Sequence, residues 1–275
     1  MGEWLAPAKA IDLWRYCQRH GYLLRRLVKR EIEVRYRGAW LGALWALLTP
    51  LVMLAVYTFV FAYVLRIRWG NTPGATTTDF ALSLFAGLTA FGILAETLQA
   101  SPNLILGNVN YVKKVVFPLE ILPVARLLAC VFHASLNFGI LLVACAVLGV
   151  GVHWTVVFLP LVLLPLALLT LGCAYFLAPI GVLVRDVNHI LAFAVTMLLF
   201  LSAVFFPLSQ LPPAWRPWLM LNPLVTIIDD VRRVTIEGLA PKWAAWLLVT
   251  ALGATFAAAG LAWFLKVKRW LADAM

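Results

Sequence analysis

Residues 39–65 read AWLGALWALLTPLVMLAVYTFVFAYVL and contain no Asp, Glu, Lys or Arg. An α-helix that crosses the ~30 Å hydrocarbon core of a bilayer needs about 20 predominantly apolar residues. This stretch is long enough and apolar enough to do so, and it predicts a transmembrane helix. The rest of the sequence is organised around it, because similar stretches recur along the chain.

Five further uncharged, apolar stretches follow, at residues 80–95, 127–150, 155–184, 190–208 and 243–265. In lipid the backbone must satisfy its own hydrogen bonds, so only helices and closed barrels span a membrane. The sequence lacks the alternating segments of about ten residues that barrel strands require. We therefore predict an all-α integral membrane protein with six transmembrane helices within residues 39–270, at about residues 41–65, 80–98, 125–150, 157–178, 190–208 and 243–265.

The composition excludes a water-soluble globular protein. The 275 residues are 64% hydrophobic and 12% charged, whereas a soluble domain carries about 25% charged residues. The four cysteines form no CxxC pair and the four histidines show no metal-binding spacing. We expect neither a disulfide framework nor a metal site.

The positive charges predict the orientation of the helices. Lys and Arg collect in short cytoplasmic loops, and most of the 22 in this chain fall on one side if the N-terminus is cytoplasmic. Both termini are then cytoplasmic, and the net charge of +10 follows from topology rather than from nucleic-acid binding. Residues 1–40 are basic and lack the apolar core of a signal peptide, so we expect the N-terminus to be retained.

A basic amphipathic helix is predicted at the end of the cytoplasmic N-terminal segment, residues 1–38. In HGYLLRRLVKREIEVRYR, residues 20–37, most cations fall on one side of a helix and most apolar residues on the other. Glu31 and Arg35 project from the apolar side, where a charge is costly unless it is paired. The sequence leaves two alternatives: a plain anchor on anionic lipid, or a helix whose apolar side packs against the bundle or a charged headgroup.

The predicted cytoplasmic loop at residues 99–124, QASPNLILGNVNYVKKVVFPLEILPV, is apolar for a loop. An apolar surface of this kind is typical of a docking site for another chain. The alternative is that the segment extends a helix and packs on the membrane. A second cytoplasmic turn, VRDVNH at residues 184–189, is either a plain connection or a smaller contact.

The predicted outer segment, residues 209–241, contains several prolines that prevent a long helix. Its apolar stretches are too short to span a bilayer, so we predict re-entrant or interfacial helices. We expect its charged residues Asp229, Asp230, Arg232 and Arg233 to face the outer water. The aromatic residues fit either sugar stacking or a membrane-interface belt.

Three motifs together carry a family resemblance: VRYR at residues 34–37, LGALWALLTP at 41–50 and KKVVFPLEILP at 113–123. The order continues through RD at 185–186, FPL at 206–208, LP at 211–212 and LNPL at 221–224. Over residues 25–270 the chain resembles the ABC-2 type transport permeases of bacterial polysaccharide exporters, which move O-antigen, capsule or teichoic acid chains.

The resemblance implies a permease that exports a lipid-linked polysaccharide across the bacterial cytoplasmic membrane. The chain would pair with a second copy, and each copy would bind an ATPase subunit that holds ATP and Mg. The sequence agrees, because a phosphate-binding P-loop requires Gly-Lys and the chain has no such dipeptide. We expect no catalytic residue and no cofactor on this chain. Membrane lipids are expected partners, and periplasmic export proteins are left open.

The resemblance also implies roles for particular residues. The loop at 99–124 would form a coupling helix in a groove of the ATPase, with the turn at 185–186 as a second contact. The predicted ATPase contacts are Asn103, Asn110, Lys113, Lys114, Phe117, Glu120, Arg185 and Asp186. The amphipathic helix would be a gate that meets a phosphate-bearing lipid headgroup through Glu31, Arg35, Tyr36 and Arg37. The candidate channel-lining residues are Tyr57, Phe61, Phe200 and Phe205.

Three other functions stay open at this point. The nearest is an ABC-2 exporter of a small lipophilic compound, which would share the spans and the coupling loop. A membrane-embedded enzyme acting on lipid-linked sugars would need acids, bases or metal ligands clustered at one membrane face, and the 12 acidic residues show no such cluster. The third is a homo-oligomeric channel that works without ATP.

Overall fold

The computed structural model describes residues 21–36, 42–64, 77–108, 118–184, 186–208 and 212–274. Within these ranges every regular element is helical. The α-helices are α1 (Gly21–Tyr36), α2 (Trp45–Tyr57), α3 (Thr77–Ala100), α4 (Asn103–Leu106), α5 (Ile121–Val147), α6 (Leu159–Leu183), α7 (Val187–Leu201), α8 (Arg216–Met220), α9 (Pro223–Arg232) and α10 (Trp243–Ala274). Short 3-10 helices at Gly42–Leu44 and Trp154–Phe158 precede α2 and α6, and π-helical turns at Thr58–Val64 and Arg233–Glu237 follow α2 and α9.

Four helices in the described part of the chain are long and apolar enough to cross a membrane: Thr78–Ala100, Ile121–Val147, Trp154–Leu183 and Trp243–Lys268. Two shorter apolar helices, Trp45–Val60 and Val187–Leu201, overlap the predicted first and fifth spans. For the described residues, the prediction of an all-helical fold with several apolar, span-like helices is confirmed. The count of six crossings and the cytoplasmic placement of both termini stay predictions.

Helix α3 lies at the centre of the bundle. Its side chains Phe80, Leu82, Leu84 and Ile93 are buried, and α5, α6, α7 and α9 all pack against it. Of its most apolar 18-residue segment, 78% is buried inside the protein. A helix that is apolar on all sides is typical of such a fully covered position. Helix α3 therefore provides the surface on which the other helices assemble.

Helices α6 and α10 form the most extensive helix pair among the described elements. Gly172 and Gly260 meet at their crossing, where a Cβ atom on Gly260 would lie 2.6 Å from the carbonyl oxygen of Gly172. Small residues let two membrane helices approach closely, and the resulting packing holds them together where no water drives association. The aromatic rings of Phe176 and Phe256 pack beside this crossing with their centroids 5.3 Å apart.

The helices define two ends of the bundle. At the first, which we call the α1 end, helix α1, helix α4, the start of α5 and the final turns of α10 share an apolar cluster that includes Leu27, Leu104 and Phe264. At the second, the α9 end, the hydroxyl of Thr155 before α6 donates to the carbonyl of Val234 at 2.8 Å. In the predicted topology the α1 end is cytoplasmic.

The charged residues around the end of α9 do not all face solvent. The sequence predicts that Asp229, Asp230, Arg232 and Arg233 lie in the outer water, and this is wrong for Asp230 and Arg232, which are 1% and 3% exposed. Burial raises the pKa of the Asp230 carboxyl above its ordinary value. Its Oδ1 accepts the backbone N–H of Lys242 at 3.0 Å, which partly offsets the loss of water.

Arg232 can be buried because backbone carbonyls accept hydrogen bonds from its guanidinium. Nε donates to the carbonyl of Ser83 at 3.0 Å, Nη1 to that of Ala203 at 3.0 Å and Nη2 to that of Val204 at 2.6 Å. A buried charge is costly unless its hydrogen-bonding groups find partners, and these carbonyls supply them. They come from α3 and from the turn after α7, so the sequence around Arg232 does not reveal them.

Candidate functional site

Helix α1 packs directly against the bundle. Leu27 is buried in the apolar cluster of the α1 end, and Leu23, Leu24 and Val28 pack around it. These positions share one side of the helix, because residues three and four apart are neighbours on its surface. Of the two alternatives left by the sequence, the structure has the one in which the apolar side of α1 meets protein.

Two ion pairs join α1 to the bundle. Arg126 of α5 donates from Nη1 to Glu31 Oε2 at 3.2 Å. Arg35 pairs with Glu96 of α3 through both of its terminal nitrogens, with 3.1 Å between Nη2 and Oε1. Glu31 and Arg35 therefore turn toward protein, which the sequence left as one of its alternatives, and each of these charges has an opposite charge beside it.

The paired charges line a cleft of about 490 Å³ between α1, α3 and α5. Its lining consists of Glu31, Val34, Arg35, Glu96, Gln99, Ala100 and Arg126. A guanidinium that holds a carboxylate can hold a phosphate oxygen in its place, since both accept the same forked pair of N–H groups. The cleft therefore offers two arginines to an anionic group that enters it.

The segment that follows α3 and contains α4 is hydrogen-bonded to the middle of α1. Arg30 Nη2 donates to Asn108 Oδ1 at 2.7 Å, and Asn108 Nδ2 donates to the carbonyl of Leu104 at 2.8 Å. Asn108 is buried, and both ends of its amide are thus fixed. A displacement of α4 would be passed directly to α1 through this amide.

The two segments that the resemblance assigns to ATPase contact lie side by side. Asn103, at the start of α4, donates through Nδ2 to Asn188 Oδ1 at 3.1 Å. Asp186, two residues before Asn188, is exposed immediately before α7. One partner surface could therefore touch both segments at once. Their spacing in the sequence does not predict this contact.

Glu120 faces inward. Its side chain is 10% exposed, and Oε2 accepts a hydrogen bond from Lys268 Nζ at 2.8 Å. The backbone carbonyl of Glu120 also accepts the hydroxyl of Tyr175 at 3.0 Å. Glu120 thus forms an ion pair that joins the start of α5 to the last turns of α10. Its contact with an ATPase stays a prediction.

The apolar residues of the loop at 99–124 serve the fold of this chain. Leu104, Ile105 and Leu119 are buried in the apolar cluster at the α1 end, whereas Leu106 is exposed. Because most of these described side chains are covered by the chain itself, the apolar composition of the loop does not by itself require a partner.

Several predicted site residues lie outside the described part of the chain. They are Arg37, Asn110, Lys113, Lys114, Phe117 and Arg185, and for Tyr36 and Phe61 the backbone alone is described. Their roles stay predictions.

The structure brings two of the candidate channel-lining residues together. Phe200 and Phe205 stack with their ring centroids 5.3 Å apart and an angle of 27° between the ring planes. Phe200 is 59% exposed on α7. Tyr57 of α2 is half-buried against the main apolar core.

Sequence reasoning missed four residues that complete the site: Glu96, Asn108, Arg126 and Lys268. Arg126 and Lys268 adjoin predicted spans, where a cation is equally typical of an ordinary membrane boundary. Asn108 lies in a loop whose polar residues carry no pattern. An unpaired charge on the apolar side of α1 shows that partners are needed, but the packing of helices distant in sequence decides which residues they are.

The sequence is similar to known transport proteins. A profile of the family described as ABC-2 type transporter matches residues 22–236, from α1 through the π-helical turn after α9. The O-antigen export system permease protein RfbA of Myxococcus xanthus is 31% identical over 233 residues, which cover 84% of this chain and 86% of that protein. A protein of the same name from Klebsiella pneumoniae is 23% identical over 222 residues, 79% of this chain and 83% of that one. The polysialic acid transport protein KpsM of Escherichia coli is 27% identical over 218 residues, 77% of this chain and 80% of that one.

Proposed function

We infer that this chain, which belongs to the ABC-2 type transporter family, is the membrane permease of an ATP-driven exporter that moves a lipid-linked cell-surface polysaccharide. Relatives named for O-antigen export and for polysialic acid transport align with 84% and 77% of the chain. Their names cover two kinds of surface polysaccharide, so the proposal is for this substrate class and not for one glycan.

The observation that carries the substrate proposal is the charged cleft between α1, α3 and α5. A lipid-linked glycan has a phosphate-bearing end at the depth of the lipid headgroups. Arg35 and Arg126 lie in the cleft and are held by Glu96 and Glu31. In the proposal the phosphate replaces a carboxylate at these guanidiniums, because Arg binds both groups through the same fork. Loss of that ion pair then weakens the contact of α1 with the bundle.

The energy comes from separate ATPase subunits that hold ATP and Mg. Two copies of the chain form the passage, and each binds one ATPase through the surface that contains Asn103 and Asp186. A push on α4 reaches α1 through Asn108 and Arg30, which are 2.7 Å apart at their hydrogen-bonded atoms. The permease thus contributes moving helices, and ATP hydrolysis takes place on the partner.

The proposed orientation places the α1 end and both termini in the cytoplasm of a bacterium, with the chain in the cytoplasmic membrane. The excess of Lys and Arg in the predicted inner segments supports this orientation. In a variant whose four native cysteines are replaced, a cysteine introduced at Lys113 should react with a membrane-impermeant reagent in inverted vesicles and not in intact cells. Reaction in intact cells would contradict the orientation.

Transport in vesicles tests the function. The chain is reconstituted with the ATPase that co-purifies with it, and a fluorescent lipid-linked glycan is supplied at the face that carries the ATPase. We expect ATP-dependent transfer of the glycan to the other face, with its chemical structure unchanged. Transfer of small lipophilic dyes instead would favour the rival exporter, transfer without ATP would favour a channel, and chemical change of the glycan would favour an enzyme.

A pair of variants tests the cleft within the same assay. Arg35→Gln removes a cleft charge, and we expect it to raise the glycan concentration needed for half-maximal transfer. Lys29→Gln is the matched control, because Lys29 lies on the exposed side of α1. Equal effects of the two variants would mean that only the general charge of α1 matters.

A further inference from the structure

An apolar groove of about 610 Å³ lies between α2 and α5. Three leucines of α2, Leu47, Leu51 and Leu54, line one wall, and residues 135–148 line the other. Leu54 is buried at the floor, whereas Leu47 and Leu51 are 42% and 48% exposed. The groove is therefore open to the surroundings of the bundle.

Gly139 leaves a gap in the middle of the α5 wall. It is exposed, and a Cβ atom built on it would meet nothing within 4 Å. Protein interiors are close-packed, and apolar atoms that border an unfilled space lose dispersion contacts. The protein alone therefore does not complete the packing between α2 and α5.

The lining of the groove favours an apolar occupant. Among the described residues that form it, Ser135 is the only one with a polar side chain. Its Oγ donates to the carbonyl of Phe132 at 2.7 Å, within α5 itself. An ordered water needs about two to four polar partners. Water is therefore a poor occupant of this groove, and hydrocarbon is a good one.

The shape of the groove distinguishes between two apolar occupants. Residues 135–148 rise by about 20 Å along a helix, so the mean cross-section of the groove is about 30 Å². An α-helix with its side chains is ~10 Å across and needs a cross-section of about 80 Å². A helix of a second copy would rest on the rim and leave the groove unfilled, whereas a single hydrocarbon chain can enter it.

The position of the groove along α5 selects one leaflet of the bilayer. Helix α5 starts at Ile121 in the apolar cluster of the α1 end, and Ser135 lies about 20 Å further along it. The groove ends at Leu148, where α5 ends. One leaflet contributes half of the ~30 Å hydrocarbon core. The groove therefore lies at the depth of the acyl chains in the leaflet at the α9 end.

We propose that the groove between α2 and α5 binds one acyl chain of a bilayer phospholipid from the leaflet at the α9 end, and that the bound acyl chain holds α2 against α5. Helix α2 packs on α3 and α5, but most of its side chains are exposed. The acyl chain supplies the contacts that α2 lacks on this side. The proposal requires α2 and α5 to lie in a bilayer, and it does not depend on the transported substrate.

Three variants test the groove. Gly139→Leu fills it from α5, and Leu51→Phe fills it from α2. Ala146→Leu is the matched control, because Ala146 is exposed on α5 and does not line the groove. If Gly139→Leu fails to fold, Leu51→Phe still decides.

Photolabelling locates the acyl chain. The full-length protein is reconstituted in vesicles of phosphatidylethanolamine and phosphatidylglycerol, with a trace of phosphatidylethanolamine that carries a diazirine midway along one acyl chain. Mass spectrometry compares label on the groove residues with label on Leu247 and Leu248, which are 61% and 63% exposed on α10. We expect severalfold more label in the groove in the unmodified protein and in Ala146→Leu. The two groove-filling variants should lose this excess and keep the label on α10.

Thermal melting measures what the bound acyl chain does. The protein is stripped of lipid in detergent, and phosphatidylethanolamine is then added back. Since a ligand that binds the folded state stabilises it, we expect the melting temperature of the unmodified protein and of Ala146→Leu to rise by several degrees. Gly139→Leu and Leu51→Phe should respond much less, because a side chain then occupies the place of the acyl chain.

Equal labelling of the groove and of α10 overturns the proposal, because the groove would then have only the lipid contact of any exposed helix surface. Absence of label from the groove also overturns it, since a second copy would then cover the groove. An equal rise in melting temperature in all variants contradicts the role of the acyl chain in holding α2. Failure of the proposed function is a different result: the unmodified complex would not transfer glycan with ATP, whatever the labelling shows.

Discussion

The ion pair between Glu120 and Lys268 provides the sharpest test of how the α1 end is built. The Nζ–Oε2 distance is 2.8 Å, and the two side chains are 10% and 32% exposed. Lys268→Met leaves a mostly buried carboxylate without its partner. Losing a hydrogen bond to a charged group in such a place costs about 2 kcal/mol of unfolding free energy. For a chain of this size we expect the melting temperature to fall by ~5 °C.

The assay combines thermal melting of the protein in lipid nanodiscs with co-purification of its ATPase. Glu120→Lys, which places two cations together, should lower the melting temperature at least as far as Lys268→Met. The exchange variant, Glu120→Lys with Lys268→Glu, should recover most of the loss. Lys266→Met is the matched control, because Lys266 is exposed on the same helix. We expect ATPase association to follow stability across this series.

Two results would refute this reasoning. If the exchange variant is as unstable as Glu120→Lys, the ion pair does not stabilise the α1 end. If it melts like the unmodified protein but no longer retains the ATPase, Glu120 itself recognises the ATPase. The second result would restore the role that the resemblance assigns to this residue.

Two further predictions concern helix contacts. Arg126→Met should destabilise the protein by about 1–2 kcal/mol and make α1 more sensitive to protease, because partly buried Glu31 loses its closer cation and keeps only Arg30, whose Nη2 lies 3.7 Å from Oε1. Lys29→Met should change neither, since its ion pair is exposed. Gly260→Ala should cost about 2–3 kcal/mol because the added methyl meets backbone that cannot move aside. Gly139→Ala, where a Cβ atom meets nothing within 4 Å, should be tolerated in the same melting assay.

The helices are the part of the structure that the sequence predicts well. The stretch at 127–150 predicts a helix that the structure has at Ile121–Val147, and the stretch at 80–95 extends to Ala100. The extension passes through Glu96, a charge that ends an apolar run in the sequence. Its pairing with Arg35 offsets that charge, and only the position of α1 makes the pairing available.

The candidate site is predicted in part. A charge on an apolar helix face needs a partner, so the sequence can identify Glu31 and Arg35 as residues that need one, but it leaves open whether the partner is protein or a lipid headgroup. It cannot identify Arg126 or Glu96 as their partners, because those residues come from helices whose packing depends on the whole bundle. For the same reason the sequence places Arg232 in water, although carbonyls from other segments surround it.

The central position of α3 has a consequence for how the protein is made. Helices α5, α6, α7 and α9, which cover α3, all follow it in the chain. During synthesis α3 therefore leaves the ribosome before most of its neighbours exist, although Arg35 of α1, the ion-pair partner of Glu96, has already been made. In newly inserted chains, lipid or the insertion machinery must cover α3 until α9 has been made. A premature stop before Pro223 therefore yields a fragment in which α3 is only partly covered. We expect membrane quality control to degrade such a fragment.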